Sequence, residues 1–259
     1  MLRFAANLTM LFNELPFMAR FEAAHKHGFT EVECQFPYTW PAADIKALLD
    51  RHHLKLVLQN LPAGDWKAGE RGIACHPNRV DEFKVGVEKA INYAKIVGVE
   101  QLNCLAGIRL ENVTESQVHA TLVSNLKHAA NELKTNGLRL LIEPLNKFDI
   151  PGFYLNHTQQ AINLIEEVGS DNLFLQYDIY HMQRMEGEIA NTIEKHLSKI
   201  AHIQLADNPG RHEPGTGELN YPYIFSHLER IGYTGSIGCE YKPKTTTEAG
   251  LHWLKTYVA

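Results

Sequence analysis

Arg139-Leu140-Leu141-Ile142-Glu143-Pro144-Leu145-Asn146 reads as a short apolar strand that ends by delivering a carboxylate. Side chains alternate along a strand, so an inward Leu141 places Glu143 on the same face, and Pro144 cannot donate to a continuing ladder. Three further segments repeat the arrangement: Leu173 to Asp178, Ile200 to Gln204 and Ser236 to Glu240. Each is a mostly apolar run with a polar side chain at its downstream end, and helix-like sequence separates one from the next. Four such strands aim Glu143, Asp178, Gln204 and Glu240 at one place, which in a parallel barrel is the C-terminal face where active sites sit.

Working outward, the chain spaces eight strand–helix units of roughly 32 residues each, the pattern of a (β/α)8 TIM barrel, an α/β fold. Its 259 residues, 44% hydrophobic, suit one barrel domain over residues 1–259. Phe4 to Asn7 opens as a strand, followed by a helix from Pro16 to His27 with Gly28 as its stop. Glu31 to Phe36 and Lys55 to Asn60 are the second and third strands, around a helix from Asp44 to His52. A helix from Asp81 to Val97 leads to a strand from Gln101 to Gly107. Thr114-Glu115-Ser116-Gln117 is a capping-box pattern opening a helix to Asn136. Ile179 to Glu186 reads as a loop, Ile189 to Ser198 and Tyr223 to Arg230 as helices, and a short helix from Thr247 closes the chain. Two long polar connections stand out, Leu61 to Asn78 and Ala206 to Gly217; loops of such length in a compact barrel are commonly lids or binding loops.

The net charge of −5 offers no broad phosphate-binding surface and argues against a nucleic-acid partner. Cys34, Cys75, Cys104 and Cys239 are scattered without a C-x-x-C spacing and read as reduced core residues, three of them in strands. No apolar run approaches the ~18 residues of a membrane span, and Met1 to Phe12 lacks a convincing cleavage site, so a cytoplasmic protein is expected. The Asn-x-Thr triplets at Asn7, Asn112 and Asn156 are then chance matches. No G-x-G-x-x-G follows a strand, so nicotinamide redox chemistry is not expected. A homo-oligomer is compatible with a barrel enzyme, although no stretch marks an interface.

Three converging acids have a physical cost. At ~5 Å and an effective dielectric of about 20, each like-charged pair costs ~3 kcal/mol, and three pairs ~10 kcal/mol. That is comparable to a domain's whole stability of ~5–15 kcal/mol, so a bound cation or proton uptake is almost required. Carboxylate oxygens and the Gln204 amide oxygen are hard donors that favour Mg²⁺ or Mn²⁺. A metal so held polarises a carbonyl and supports the charge that develops beside it.

The runs Asn60 to Gly72, Ile142 to Asn146, Gln176 to Arg184 and Gly238 to Pro243 closely resemble the hydroxypyruvate isomerase family within the xylose isomerase-like barrels. The resemblance spans nearly the whole chain. It implies a divalent metal held at Glu143, Asp178, Gln204 and Glu240, with Glu143 and Glu240 as the acid–base pair. The implied reaction is an aldose–ketose isomerisation of a small acid sugar, hydroxypyruvate to tartronate semialdehyde, through a cis-enediolate. Related sugar epimerases place His where Gln204 stands, and His202, two residues earlier, competes for that ligand role. The substrate carboxylate calls for a cation, for which Lys242, Arg71 and Arg211 are the candidates; His181 resembles a substrate-oxygen contact, and Trp66 either closes over the substrate or packs its loop onto the rim. Glu33 and Asn7 line the same mouth and are expected only to hydrogen-bond the site. The competing readings are a 2-oxo-tetronate isomerase on a four-carbon acid sugar, a ketose 3-epimerase, a nuclease of the endonuclease IV kind, and a non-catalytic sugar-acid-binding barrel.

Overall fold

The computed structural model describes residues 2–257; Met1, Val258 and Ala259, the ends of the expected 1–259 domain, lie outside the described residues. The strands are β1 (Arg3–Asn7), β2 (Glu31–Glu33), β3 (Lys55–Asn60), β4 (Gln101–Cys104), β5 (Arg139–Ile142), β6 (Leu173–Asp178), β7 (Ile200–Leu205) and β8 (Ser236–Cys239). The helices are α1 (Arg20–Lys26), α2 (Ala42–Arg51), α3 (Val80–Val97), α4 (Glu115–Thr135), α5 (Thr158–Val168), α6 (Ile179–Met185), α7 (Ile189–His196), α8 (Tyr221–Arg230) and α9 (Thr247–Gly250). All strand pairs are parallel and follow chain order, and β8 returns to β1 with Arg3 opposite Ser236 and Ala6 opposite Cys239. The result is the expected (β/α)8 barrel.

Strands in such a barrel are covered by helices outside and filled by side chains inside, so both faces are buried. Leu140 and Ile142 of β5 join the large core cluster, whereas Leu141 belongs to a separate small cluster with Ala5, Val57 and Leu58. Leu141 shares the face of Glu143, so this second cluster fills the barrel beneath the acids. The capping box at Thr114 forms in both directions and fixes the start of α4.

The structure corrects the reading of Ile179 to Glu186 as a loop: Ile179–Met185 is helix α6. Its start is made by Asp178, whose Oδ1 accepts from the backbone N–H of Tyr180 at 2.8 Å and of His181 at 3.3 Å. Seven residues are too few to display a helical period, so the cap rather than the pattern carried the signal. The first helix is also shorter than expected, a 3₁₀ turn at Phe17–Ala19 followed by Arg20–Lys26. The long connection after β3 is stapled in place: Leu61 N–H donates to the Asn103 carbonyl, Cys75 N–H to that of Ala106, and Asn125 Nδ2 to that of Ala74, each at 2.8 Å.

Asn172 joins three elements. Its buried Nδ2 donates to the Ala130 carbonyl at 3.0 Å and the Leu138 carbonyl at 2.9 Å, tying α4 and the entry to β5 to the start of β6. Asn172→Ala leaves both carbonyls without this donor at a cost of ~2–3 kcal/mol, equivalent to a melting midpoint roughly 5–10 °C lower. Thermal denaturation followed by circular dichroism checks this; a shift below about 1 °C contradicts the clamp.

Candidate active site

Glu143 stands immediately after β5, Asp178 ends β6, Gln204 lies near the end of β7, and Glu240 follows β8. The fold thus brings all four to the C-terminal mouth, where each is buried. Glu143, Asp178 and His181 offer ligand atoms that lie within 4.8 Å of one another, a group that could hold a metal ion. Two carboxylate oxygens in it, Glu143 Oε1 and Asp178 Oδ2, have no hydrogen-bond partner. Buried polar atoms are normally satisfied, so unpaired carboxylate oxygens at one mouth mark a place for a cation or a donor.

The other oxygens are tied down. Asn103 Nδ2 donates to Glu143 Oε2 at 2.8 Å. Glu240 Oε2 accepts from Gln204 Nε2 at 2.6 Å and Asn7 Nδ2 at 3.3 Å, while its Oε1 accepts from Gln35 Nε2 at 3.1 Å and Arg211 at 2.7 Å. The Gln204 oxygen accepts from Gln176 Nε2 at 2.7 Å. His202 is directed elsewhere: its Nε2 is 2.7 Å from Glu33 Oε2, inside the barrel. Asn103, Gln35 and Gln176 carry no distinguishing sequence signal beyond being polar positions in or beside buried strands.

Arg211 is the cation the fold brings to the acids. It pairs with Glu240 at 2.7 Å and faces Asp178 Oδ2 at 3.8 Å, and its Nε has no partner. Asp207, overlooked in the sequence, holds its loop: Oδ2 accepts from the N–H groups of Gly215, Thr216 and Gly217 at 2.9, 3.0 and 2.9 Å. Oδ1 accepts from Asn208 and Leu219 at 2.9 and 3.1 Å. A Cβ at Gly217 would lie 2.0 Å from the Asn208 carbonyl oxygen, so no side chain fits there. The available signal was an aspartate preceding a run rich in Gly and Pro, the pattern of a side chain capping a turn.

The remaining candidates separate. Arg71 stacks its guanidinium over the Trp66 ring at 4.0 Å and lines a different pocket. Lys242 is exposed, and its backbone N–H donates to the Arg211 carbonyl at 2.8 Å. Trp66, with Leu105, Leu145 and Ile150, forms the apolar wall of a small cavity of about 70 Å³, whose polar wall includes Glu143, Glu240, His181 and Arg211.

Burial raises the pKa of each acid, and neighbours modify the result. Glu143 is held well above the usual carboxylate range by burial and then by Glu240 and Asp178. Glu240 is pushed up to about 8 by burial, against the opposing pull of Arg211, and Asp178 to about 6 for the same reasons. Burial, then Arg211 and Arg184, keep His181 well below its ordinary value and therefore neutral. Its Nδ1 receives the backbone N–H of Asn146 at 3.2 Å, so the imidazole proton sits on Nε2. That nitrogen lies 3.6 Å from Asp178 Oδ2 and 3.4 Å from Arg211 Nη2.

The family model described as xylose isomerase-like TIM barrel matches residues 21–257. The chain is 56% identical to the hydroxypyruvate isomerase of Escherichia coli (strain K12) over 257 residues, covering 99% of this chain and 100% of that protein. It is 44% identical to the 2-oxo-tetronate isomerase of Cupriavidus necator over 256 residues, covering 99% and 98%. The crystal structure of an AP endonuclease, family 2, from Brucella melitensis superposes with a TM-score of 0.97 at 43% identity, covering 100% of both chains.

Asp207→Asn turns an acceptor of five N–H groups into a group that presents an NH₂ to some of them. It is expected to lower stability by about 2–4 kcal/mol. It is also expected to expose Arg211 to trypsin. Denaturant titration and mapping of the first tryptic cut check both; wild-type stability with no cut after Arg211 contradicts the assignment.

Proposed function

The chain belongs to the family of xylose isomerase-like TIM barrels, and on that premise we propose that it is a hydroxypyruvate isomerase. The observation that carries this is the pair Glu143 and Glu240, delivered from β5 and β8 into one small cavity with Arg211 and His181. The 56% identity to a protein named for that reaction, over the full chain, supports the same reading.

Isomerisation moves a hydrogen from C3 of hydroxypyruvate to C2. One glutamate takes the C3 proton, and the C–H electron pair becomes the C2=C3 bond of an enediolate while the C2 carbonyl becomes an oxyanion. The other glutamate returns a proton to C2, the C3 hydroxyl gives up its proton to become the aldehyde, and the C2 oxygen gains one, so that no electrons leave the substrate. Two carboxyl groups facing one substrate suit a step in which a base and an acid act in turn. The Arg211 guanidinium, with an unpaired Nε, binds the substrate carboxylate, and His181 Nε2–H donates to a substrate oxygen. Trp66, Leu145 and Ile150 keep water from the intermediate.

The donor set fits a hard divalent cation. Glu143, Asp178 and Glu240 supply carboxylate oxygens, and the Gln204 carbonyl, which accepts from Gln176, retains a second lone pair. Mg²⁺ or Mn²⁺ in this place supplies charge against the acids and polarisation of the substrate oxygens. The small cavity favours a three-carbon over a four-carbon acid sugar, which ranks 2-oxo-tetronate second, and a site this small on a chain of net charge −5 speaks against a nucleic-acid strand. Four free, buried thiols suit a reducing cytoplasm.

Proton NMR in D₂O, with Mg²⁺- or Mn²⁺-loaded protein and either keto acid, tests the proposal. Hydroxypyruvate is expected to convert at least ~10-fold faster than 2-oxo-tetronate, with deuterium at C2, and Glu143→Gln or Glu240→Gln is expected to lower kcat by about 10²–10⁴-fold. Turnover within about threefold of wild type in either variant contradicts the two-glutamate step.

A further inference from the structure

Glu33, like Asp178, has no solvent exposure at this end of the barrel. It does not line the small cavity, yet it shares two donors with Glu240, which does. Its Oε1 accepts from Asn7 Nδ2 at 2.8 Å and from Gln204 Nε2 at 2.7 Å. The same two NH₂ groups donate to Glu240 Oε2, at 3.3 and 2.6 Å. Two amides therefore bridge the same pair of carboxylates, so that each carboxylate oxygen fixes where the other's donors point. Glu33 Oε2 is anchored on the far side by His202 Nε2 at 2.7 Å.

The space for this arrangement is reserved in the backbone. A Cβ built on Gly238, two residues before Glu240, would lie 2.2 Å from Glu33 Oε2 and 2.5 Å from its Oε1. No ordinary side chain fits at that position without driving the Glu33 carboxylate away. β8 thus carries both the glycine that admits Glu33 and, just beyond the strand, the glutamate that Glu33 orients.

We propose that Glu33 is a positioning residue for proton transfer: through Asn7 and Gln204 it locks Oε2 of Glu240 and leaves Oε1 as the oxygen presented to the substrate. Oε1 is the oxygen that meets Arg211 and Gln35, both on the cavity wall. The inference rests on the proton-transfer reading above. Replacing Glu33 by Gln puts an NH₂ where one oxygen stood. Whichever way that amide faces, His202 and the two bridging amides do not all keep an acceptor, so Glu240 loses its fixed orientation while keeping its charge.

The consequence differs from that of general loosening. In Glu33→Gln, Glu143 still removes the proton from its own carbon, and that proton is lost to solvent. With delivery by Glu240 impaired, the intermediate returns to the starting compound carrying deuterium. The test compares wild type, Glu33→Gln and the milder Asn7→Ser, each metal-loaded in D₂O, by proton NMR from hydroxypyruvate and from tartronate semialdehyde. In Glu33→Gln, kcat is expected to fall at least ~30-fold with KM within about threefold, and the ratio of deuterium in unreacted starting compound to turnover to rise at least ~10-fold from one of the two compounds. Asn7→Ser is expected to move the same ratio in the same direction by a smaller factor, and it decides the matter if Glu33→Gln does not fold. Turnover within about threefold of wild type, or exchange and turnover falling together, overturns the positioning role. A wild-type protein that isomerises neither compound overturns the proposed function itself, a result distinct from either of these.

Discussion

Four carboxyl groups, Glu33, Glu143, Asp178 and Glu240, are buried at one end of the barrel, where the Arg211 guanidinium meets two of them, Asp178 and Glu240. Like charges this close and this far from water cannot all persist without compensation, each pair at ~5 Å costing ~3 kcal/mol even at an effective dielectric of about 20. Much of the local structure answers that constraint. Asn7 and Gln204 place NH₂ groups between two of the acids, Asn103 caps a third, and the N-terminus of α6 receives Asp178. Asp207 gathers five backbone N–H groups and so ties down the loop carrying Arg211. What is left unpaired, Glu143 Oε1 and Asp178 Oδ2, is the remainder that a cation and a substrate are proposed to satisfy.

The two ends of the barrel contrast in how they spend charge. At the N-terminal mouth Arg3 meets Glu31 at 3.2 Å and Lys55 meets Glu100 at 3.0 Å, so acids there have basic partners from neighbouring strands. At the C-terminal mouth acids outnumber bases, and burial pushes the pKa values of Glu143, Glu240 and Asp178 upward. Paired charge at the first end closes the barrel, whereas unbalanced charge at the second stores the capacity to bind and to move protons. The apolar cluster of Ala5, Val57, Leu58 and Leu141 fills the interior beneath the acids.

The barrel and the four strand-end side chains were legible in the sequence because both follow from local pattern: short apolar runs, alternation and a polar residue at each downstream end. Helix α6 was not, since seven residues show no period and its cap, Asp178, had already been read as a strand-end acid. The standing of Glu33 was also hidden. Its partners Asn7, His202 and Gln204 lie 26, 169 and 171 positions away, and only barrel closure brings them together. Among the candidate cations, Lys242, Arg71 and Arg211 looked equivalent as loop charges. Asp207 separates them in space, and its N–H bonds are a property of the folded loop rather than of composition.

If burial holds protons at this mouth in place of a cation, binding a cation must expel them. Calorimetry of Mn²⁺ binding to metal-free protein, in buffers of different ionisation enthalpy, counts the protons released. Coordination needs the charged carboxylates. Glu240, pushed up to about 8, is largely protonated below that value and charged above it, and burial raises Glu143 in the same direction. Release of about one proton or more per Mn²⁺ near pH 6.5, declining as the pH rises through about 8 and Glu240 becomes charged, is the predicted result. No binding, or binding whose proton release is absent or does not decline with pH, contradicts it.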